Sequence, residues 1–364
     1  MRIVVAMSGG VDSSVAAALL GEQGHEVIGL SMQLYDQRDG QTAFGTCCSI
    51  DDLHDARRVA SALDIPHYIV NFERQFQDHV VSNFVSEYLS GRTPIPCAHC
   101  NSDLKFTTLL DRARGLGAEM VATGHYARAQ RDAAGSYVLR RGRDPAKDQS
   151  YFLFSLTQEQ LRHALFPVGG WHKDEVRDYA RARGLPVANK ADSQEICFVP
   201  DGDYARFIDS YAKKASQRPG GAPSDGVLVD RTGTVLGRHS GVHHFTVGQR
   251  KGLGLAAGTP LYVLELRPIE NAVVVGPREA LEETTLTASG VNWISGIPPA
   301  QCLRVHAQIR HRHAPAPARV RALDGNRAEL EFDAPQMAVT PGQAVVLYEN
   351  DVVLGGGWID TNRR

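Results

Sequence analysis

Apolar residues recur in two rhythms along this chain, and the change between them divides it. In the first half, short β-branched runs alternate with amphipathic stretches of ten residues or more. Arg2–Met7, Glu26–Met32, His67–Asn71 and Glu119–Ala122 have the composition of strands, the last of them buried. Between them, helices are predicted over Ser13–Gln23, from a capping pair Ser49/Asp52 to Leu63, over Phe76–Leu89, and from an Asn101 cap to Gly115. Strands alternating with long helices predict an α/β fold, a doubly wound parallel sheet covered on both faces. Helical periodicity fades after Tyr204–Lys214, and Ser216–Asp225 (SQRPGGAPSD) reads as a linker. Beyond it, short strands are predicted at Gly226–Val229, Leu261–Leu266, Ala272–Val275, Arg304–Ile309, Arg319–Ala322, Ala328–Phe332, Ala344–Tyr348 and Val352–Leu354. Such spacing predicts a small central β-rich domain followed by a C-terminal β-barrel. The expected divisions are residues 1–200, 201–280 and 281–364.

Composition narrows the function classes. The 364 residues carry 39 Lys and Arg against 41 Asp and Glu, a net charge of −2, so no global positive field points to nucleic acid. No apolar run approaches the roughly 18 residues of a membrane span. MRIVVAMSGG lacks the layout of a signal peptide, and six cysteines are too few for a disulfide scaffold. The expectation is a cytoplasmic monomer in a reducing compartment, with no membrane partner.

The strongest motif is Ser8-Gly9-Gly10-Val11-Asp12-Ser13-Ser14, placed after a strand and before a helix. Paired glycines let the backbone curl, and the amides at the helix start, with the serine hydroxyls, can cradle a phosphate. No Lys follows the glycines, so this is not a Walker A loop. The loop, from Ala6 and Met7 onward, resembles the SGGxDS loop of the ATP-pyrophosphatase superfamily. That resemblance implies ATP as cofactor, adenylation instead of γ-phosphoryl transfer, and Asp12 as ligand to a Mg²⁺ on the phosphates.

Cys97-Ala98-His99-Cys100 follows the stiff segment Thr93-Pro94-Ile95-Pro96, and Cys197 stands alone in a later loop. A thiol at a helix N-terminus is favoured as thiolate, which predicts a nucleophilic Cys100. A CxxC with a distant third cysteine is compatible with a redox pair, three metal ligands or a sulfur relay. Cys47, Cys48 and Cys302 lack such surroundings and read as packing residues.

Gly91-Arg92-Thr93-Pro94, Cys100-Asn101, Ala122–Ala127 (ATGHYA), Lys147–Leu153 (KDQSYFL), Glu195–Phe198 (EICF), Thr246–Gly254 (TVGQRKGLG) and Thr340–Gln343 (TPGQ) occur in that order. Together with the phosphate loop they make the chain similar, end to end, to the bacterial tRNA-specific 2-thiouridylases. The resemblance implies ATP-dependent activation of the wobble uridine C2 oxygen. Cys197 is then the persulfide carrier, Cys100 the nucleophile that releases its outer sulfur, and a Cys100–Cys197 disulfide the product. A persulfide-donating protein is the implied partner besides tRNA. It places adenine at Met32, which otherwise reads as a core residue at a strand end, and close ATP approach at Gly124. tRNA contacts fall at Ile95, Pro96, Cys97, His125, Lys147, Asp148, Gln149, Arg310, His311 and Gln343. In a Thr-Gly-His-Tyr turn, His125 can equally serve only a loop hydrogen bond.

Two positions depart from the family. Cys97 stands where relatives carry Asp, three residues before the nucleophile, and His311 stands in place of a Tyr. Cys97 can act as a weaker base, or with Cys100 and Cys197 hold a [4Fe–4S] cluster. No acidic residue occurs from Thr284 to Leu323, while Arg304, Arg310, Arg312, Arg319 and Arg321 do, so this stretch is expected to dock tRNA phosphates. Gln249-Arg250-Lys251 makes a second basic turn. Another ATP-pyrophosphatase, such as an amidotransferase-type ligase, needs neither paired cysteines nor a basic β appendage. An RNA-binding module with a relict loop does not account for intact Ser8, Asp12 and Ser13.

Overall fold

The computed structural model describes residues 1–34, 50–192, 196–199, 202–215, 225–256 and 258–360. The Ser49 cap, Cys47, Cys48, Glu195 and most of the 216–225 linker lie outside them.

Seven strands open the chain: β1 Arg2–Ala6, β2 Glu26–Gln33, β3 His67–Asn71, β4 Met120–Ala122, β5 Ala127–Arg131, β6 Tyr137–Arg141 and β7 Ala164–Leu165. Five form a parallel sheet in the order β3-β2-β1-β4-β7. Alternation along β1 splits its side chains between two faces. Ile3 and Val5 pack with Ala17, Leu20, Ala56 and Val59 of the helices Val11–Glu22 and Ile50–Ala62. Val4 faces the opposite side, where Phe76, Phe84, Leu104 and Leu109 close the core. Both faces are therefore covered, which explains why the strands read as unbroken apolar runs.

β8 Gly226–Val229, β9 Val235–His239, β10 Tyr262–Arg267 and β11 Ala272–Gly276 make the central sheet, in the order β10-β11-β8-β9. The last six strands are β12 Glu282–Trp293, β13 Leu303–Gln308, β14 Ala316–Leu323, β15 Arg327–Met337, β16 Ala344–Glu349 and β17 Val352–Ile359. They pair antiparallel around a closed ring, β12-β15-β14-β13-β16-β17 and back to β12. Closure removes exposed edges and encloses an apolar interior that includes Val305, Val320 and Leu330.

One pairing joins the barrel to a hairpin from the first half of the chain. The hairpin β5–β6, residues 127–141, extends the barrel through Val352↔Arg140 and Val353↔Leu139. Side chains reinforce the joint: Tyr151 Oη donates to the Ala344 carbonyl at 2.9 Å, and Asn292 Nδ2 donates to the Phe154 carbonyl at 2.8 Å. His99 stacks on Trp358 with ring centroids 4.8 Å apart.

Candidate active site

The phosphate loop sits where β1 ends and the helix Val11–Glu22 begins. Gly9 takes a φ of +73°, and a Cβ there would lie 2.2 Å from the Asp52 carbonyl oxygen, so only glycine fits. Gly10 precedes the helix in extended conformation without a side-chain cap, which leaves the first-turn amides directed out of the helix end. The Ser8 amide donates to Ser13 Oγ at 3.2 Å, and Ser14 Oγ donates to the Gly10 carbonyl at 2.8 Å, so the loop holds its own curl. Such a curl at a helix start has the geometry to hold an anion.

Gly124 packs against this loop. A Cβ at Gly124 would lie 2.6 Å from the Ser13 amide nitrogen and 2.7 Å from the Asp12 carbonyl carbon. The missing side chain thus admits the phosphate-loop backbone itself. Thr123 Oγ1 and His125 Nδ1 are 2.7 Å apart. Burial, with the Lys105 ammonium nearby, holds the His125 imidazole well below its ordinary pKa, so it is neutral near pH 7.

A charged network unannounced by local sequence lies beside Asp12. The buried Lys173 ammonium donates to both Asp12 oxygens, at 2.7 and 2.9 Å, and sits 2.8 Å from Asp192 Oδ1. Tyr126 Oη donates to Asp12 Oδ1 at 2.8 Å. Lys147 and Arg177 reach Asp192 at 2.6 and 2.8 Å. Across the loop, Lys190 Nζ donates to the Gly9 carbonyl at 3.1 Å and to Asp52 and Asp55 at 2.6 Å each. Burial works against the charge of Asp192, but Lys147 and Lys173 hold its pKa down to about 2, below the ordinary 3.8. A carboxylate depressed in the folded state stabilises above its unfolded pKa and loses that contribution as pH falls through the folded value. Thermal melts should therefore lose stability between about pH 4 and pH 2, with a shallower fall in Asp192→Asn; parallel curves for the two proteins would refute this.

The cysteine segment starts its helix earlier than Asn101. Pro96 occupies the first turn and presets φ, so the helix opens with Pro96–His99 and continues through a wide, π-type stretch Cys100–Thr108 into Leu109–Gly115. Cys97 is therefore in the first turn and Cys100 in the second, a correction to the placement of Cys100 at a helix N-terminus. Asn101 is not a cap: its Nδ2 donates to the Phe152 carbonyl at 3.1 Å and its Oδ1 accepts from Lys105 at 2.9 Å. Wide turns of this kind recur at functional sites. Cys197 rides on Phe198, which is 1% exposed and packs edge-on against Phe84 and Phe76, with centroids 5.0 and 5.6 Å away.

One cleft of about 890 Å³ brings these parts together. Ala6, Met7, Ser8, Gly10, Val11, Asp12 and Ser13 line it, with Met32 and Gly124. Cys97, Cys100 and Cys197 line the same cleft, as do Pro96, His125, Lys147, Asp148, Gln149 and His311. Met32 is 7% exposed and belongs to the apolar core as well.

Other sequence-expected residues sit elsewhere or are engaged internally. Gln343 Nε2 donates to the Thr93 carbonyl at 3.0 Å, and the Thr93 amide donates to the Pro341 carbonyl at 2.8 Å. Gln343 thus pins the loop before Cys97 onto the barrel. Ile95 is buried. Asp148 accepts from Arg141, the Gly142 amide and Ser150, and Gln149 Oε1 accepts from the Tyr126 amide at 3.0 Å, so both brace the cleft wall. Gln308 Nε2 donates to the Arg310 and His311 carbonyls at 3.0 and 2.7 Å, fixing the loop that carries Arg310 to the cleft edge. His311 packs on Phe152 with centroids 4.5 Å apart.

The acid-free stretch is not one basic face. Arg304 grips Asp333 through two nitrogens, and Arg321 pairs with Glu329, because β15 lays its acids beside these arginines. The basic groups lining the cleft are instead Lys105, Arg141, Lys147, Lys190 and Arg312, and Arg310 lies on the loop tethered by Gln308.

Family models match residues 1–201 (tRNA methyl transferase HUP domain), 220–277 (tRNA methyl transferase PRC-barrel domain) and 283–359 (aminomethyltransferase beta-barrel domain). The chain is 57% identical over 364 residues to the tRNA-specific 2-thiouridylase MnmA of Geotalea uraniireducens, spanning 99% of this chain and 95% of that one. It is 54% identical to the protein of the same name from Geobacter metallireducens, over 99% and 96% of the two chains. A relative of that name from Clostridioides difficile is 44% identical over 99% and 98%. With three family models in sequence and relatives matched from end to end, the chain belongs to the tRNA-specific 2-thiouridylase family.

Proposed function

We propose that this chain uses ATP to replace the C2 oxygen of the wobble uridine of tRNA by sulfur, releasing AMP and pyrophosphate. The observation that carries the reading is the shared cleft, in which an anion cradle and the cysteines of two distant segments face one space. The loop amides of Val11–Ser13 hold phosphates, and the C2 oxygen attacks the α-phosphate while pyrophosphate leaves. Oxygen becomes part of a good leaving group, which sulfur can then displace. Cys197 carries a persulfide. The Cys100 thiolate attacks the inner sulfur of Cys197, the S–S bond to the outer sulfur breaks, and a Cys100–Cys197 disulfide forms. The released sulfide attacks C2, AMP departs, and a thiol reductant restores both cysteines.

Lys147, Arg310 and Arg312 are suited to backbone phosphates, and His311 on its Phe152 platform to a base face. Pro96 and Cys97 then border the target base, and neutral His125 can donate or accept one hydrogen bond. Asp12 serves a Mg²⁺ only if Lys173 releases one of its oxygens. The protein would act as a cytoplasmic monomer fed by a persulfide donor, with 1–200, 201–280 and 281–364 as its units.

A specific observation keeps a second route open. Cys97, Cys100 and Cys197 line one cleft, with Cys97 and Cys100 a helical turn apart, a donor set that suits a [4Fe–4S] cluster with one open iron. Such a cluster would supply sulfide where the persulfide otherwise does.

The test is single-turnover reaction of anaerobically purified protein, preloaded with sulfur by a persulfide donor or supplied with sulfide, with ATP and unmodified tRNA. AMP and pyrophosphate in step with thiolated tRNA are expected, and ADP as product would overturn the reading. An iron count on the same sample, with activity before and after chelation, separates the two sulfur routes. Gly124→Ala should raise the KM for ATP and lower stability by roughly 1–3 kcal/mol, because its Cβ meets backbone that cannot swing aside. An unchanged KM and melting curve would show that the loop has room.

A further inference from the structure

Away from the cleft, where the end of the first domain meets the central sheet, three ligating side chains converge. His243 and His244 occupy the single helical turn Val242–His244. Adjacent side chains usually diverge, but here the tight turn sets the two rings 4.4 Å apart at 85° and aims both Nε2 atoms at one carboxylate. His243 Nε2 lies 2.8 Å from Asp209 Oδ1, and His244 Nε2 lies 3.2 Å from Asp209 Oδ2. Gly241 makes the space, since a Cβ there would meet His243 Cε1 at 2.4 Å. Asp209 comes from the helix Tyr204–Ala215, and the three ligand atoms all lie within 4.8 Å of one another.

We propose that Asp209, His243 and His244 form a zinc site that staples the helix Tyr204–Ala215 to the central sheet. Ligands about 2.0–2.1 Å from a tetrahedral Zn²⁺ stand roughly 3.3 Å apart, close to the spacings found here. Two imidazoles with one carboxylate favour Zn²⁺ over the hard ions Mg²⁺ and Ca²⁺, which take oxygen ligands. Ser240 Oγ lies 3.2 Å from His244 Nδ1 and can accept its proton, fixing the tautomer that presents Nε2. His243 is 1% exposed, whereas Asp209 and His244 reach solvent, which leaves a fourth position for water. Among the described residues, the buried His243 Nδ1 has no hydrogen-bond partner. Binding at Nε2 moves the ring proton to Nδ1, where nothing accepts it, and this weakens the site by roughly ten- to a hundred-fold against a fully supported one. The site is structural and touches no reacting atom. Its consequence for the cleft is mechanical: Phe207 of the same helix packs on Phe198, the neighbour of Cys197, with centroids 5.3 Å apart.

The experiment titrates Zn²⁺ into the full-length chain with all six cysteines changed to Ser, so that thiols do not compete. One bound equivalent and a zinc-dependent rise in melting temperature are expected. Asp209→Ala and His244→Ala, each added to that background, should weaken binding tenfold or more and abolish the rise. Circular dichroism shows which variants fold; His244, 27% exposed against 1% for His243, gives a usable variant if Asp209→Ala does not. Absence of a bound equivalent, or one that His244→Ala leaves unchanged, overturns the proposal. Because the readouts are binding and melting, they stand or fall independently of thiolation.

Discussion

Cys197→Ala is expected to abolish tRNA thiolation, by roughly a thousand-fold or more, while ATP-dependent adenylation survives. The fold predicts a clean chemical deletion. Cys197 lies in a turn closed by the Val199 amide on the Ile196 carbonyl at 2.9 Å and anchored by the buried ring of Phe198. Removing sulfur leaves that anchor on Phe76, Phe84 and Phe207 intact. Thiolated nucleoside measured after digestion of the tRNA, beside pyrophosphate release, reads the two half-reactions separately. Normal thiolation by the variant would refute the sulfur-carrier role. Cys97→Asp sharpens the outcome, because it restores a carboxylate three residues before Cys100. A weak-base role for Cys97 predicts retained or increased activity in that variant, whereas a cluster-ligand role predicts loss of iron and of activity together.

What the sequence shows plainly is whatever depends on local periodicity. β3 spans His67–Asn71 as its apolar run predicts, and the phosphate loop lies between strand and helix because two glycines and a cluster of small hydroxyls suit little else there. Helix starts are harder to read. Asn101 has the chemistry of a cap, but Pro96 has already set the helical φ, and the side chain of Asn101 goes to Phe152 and Lys105 instead. Charge runs mislead for a related reason. Arg304 and Arg321 look like a docking surface in one dimension, and only the β13–β14–β15 register shows that acids lie beside them. The hairpin 127–141 gives no sign of its membership in the barrel, since its partner strand is more than 200 residues away. Lys173 and Lys190 escape notice altogether: each is an ordinary lysine in its own neighbourhood, and only the fold brings them to Asp12, Asp192 and Gly9.

Lys173→Met should destabilise the protein by about 1–3 kcal/mol, because it leaves two partly buried carboxylates without their shared cation. The ammonium is 7% exposed and bonds both oxygens of Asp12, 161 residues away, so its loss falls on the joint between the phosphate loop and the last helix before the Cys197 segment. The two acids do not suffer equally. Asp192 keeps Lys147 and Arg177, whereas Asp12 retains only the Tyr126 hydroxyl among these partners. Asp12 therefore becomes the stronger site for an added cation. Thermal melts with and without millimolar Mg²⁺ should show a larger Mg²⁺-induced stabilisation in Lys173→Met than in the parent protein. That difference should vanish in Lys173→Met/Asp12→Asn, where the carboxylate is gone. If Lys173→Met melts with the parent, the ammonium is not holding the loop in place. If Mg²⁺ raises both proteins equally, the cation meets the protein somewhere other than Asp12.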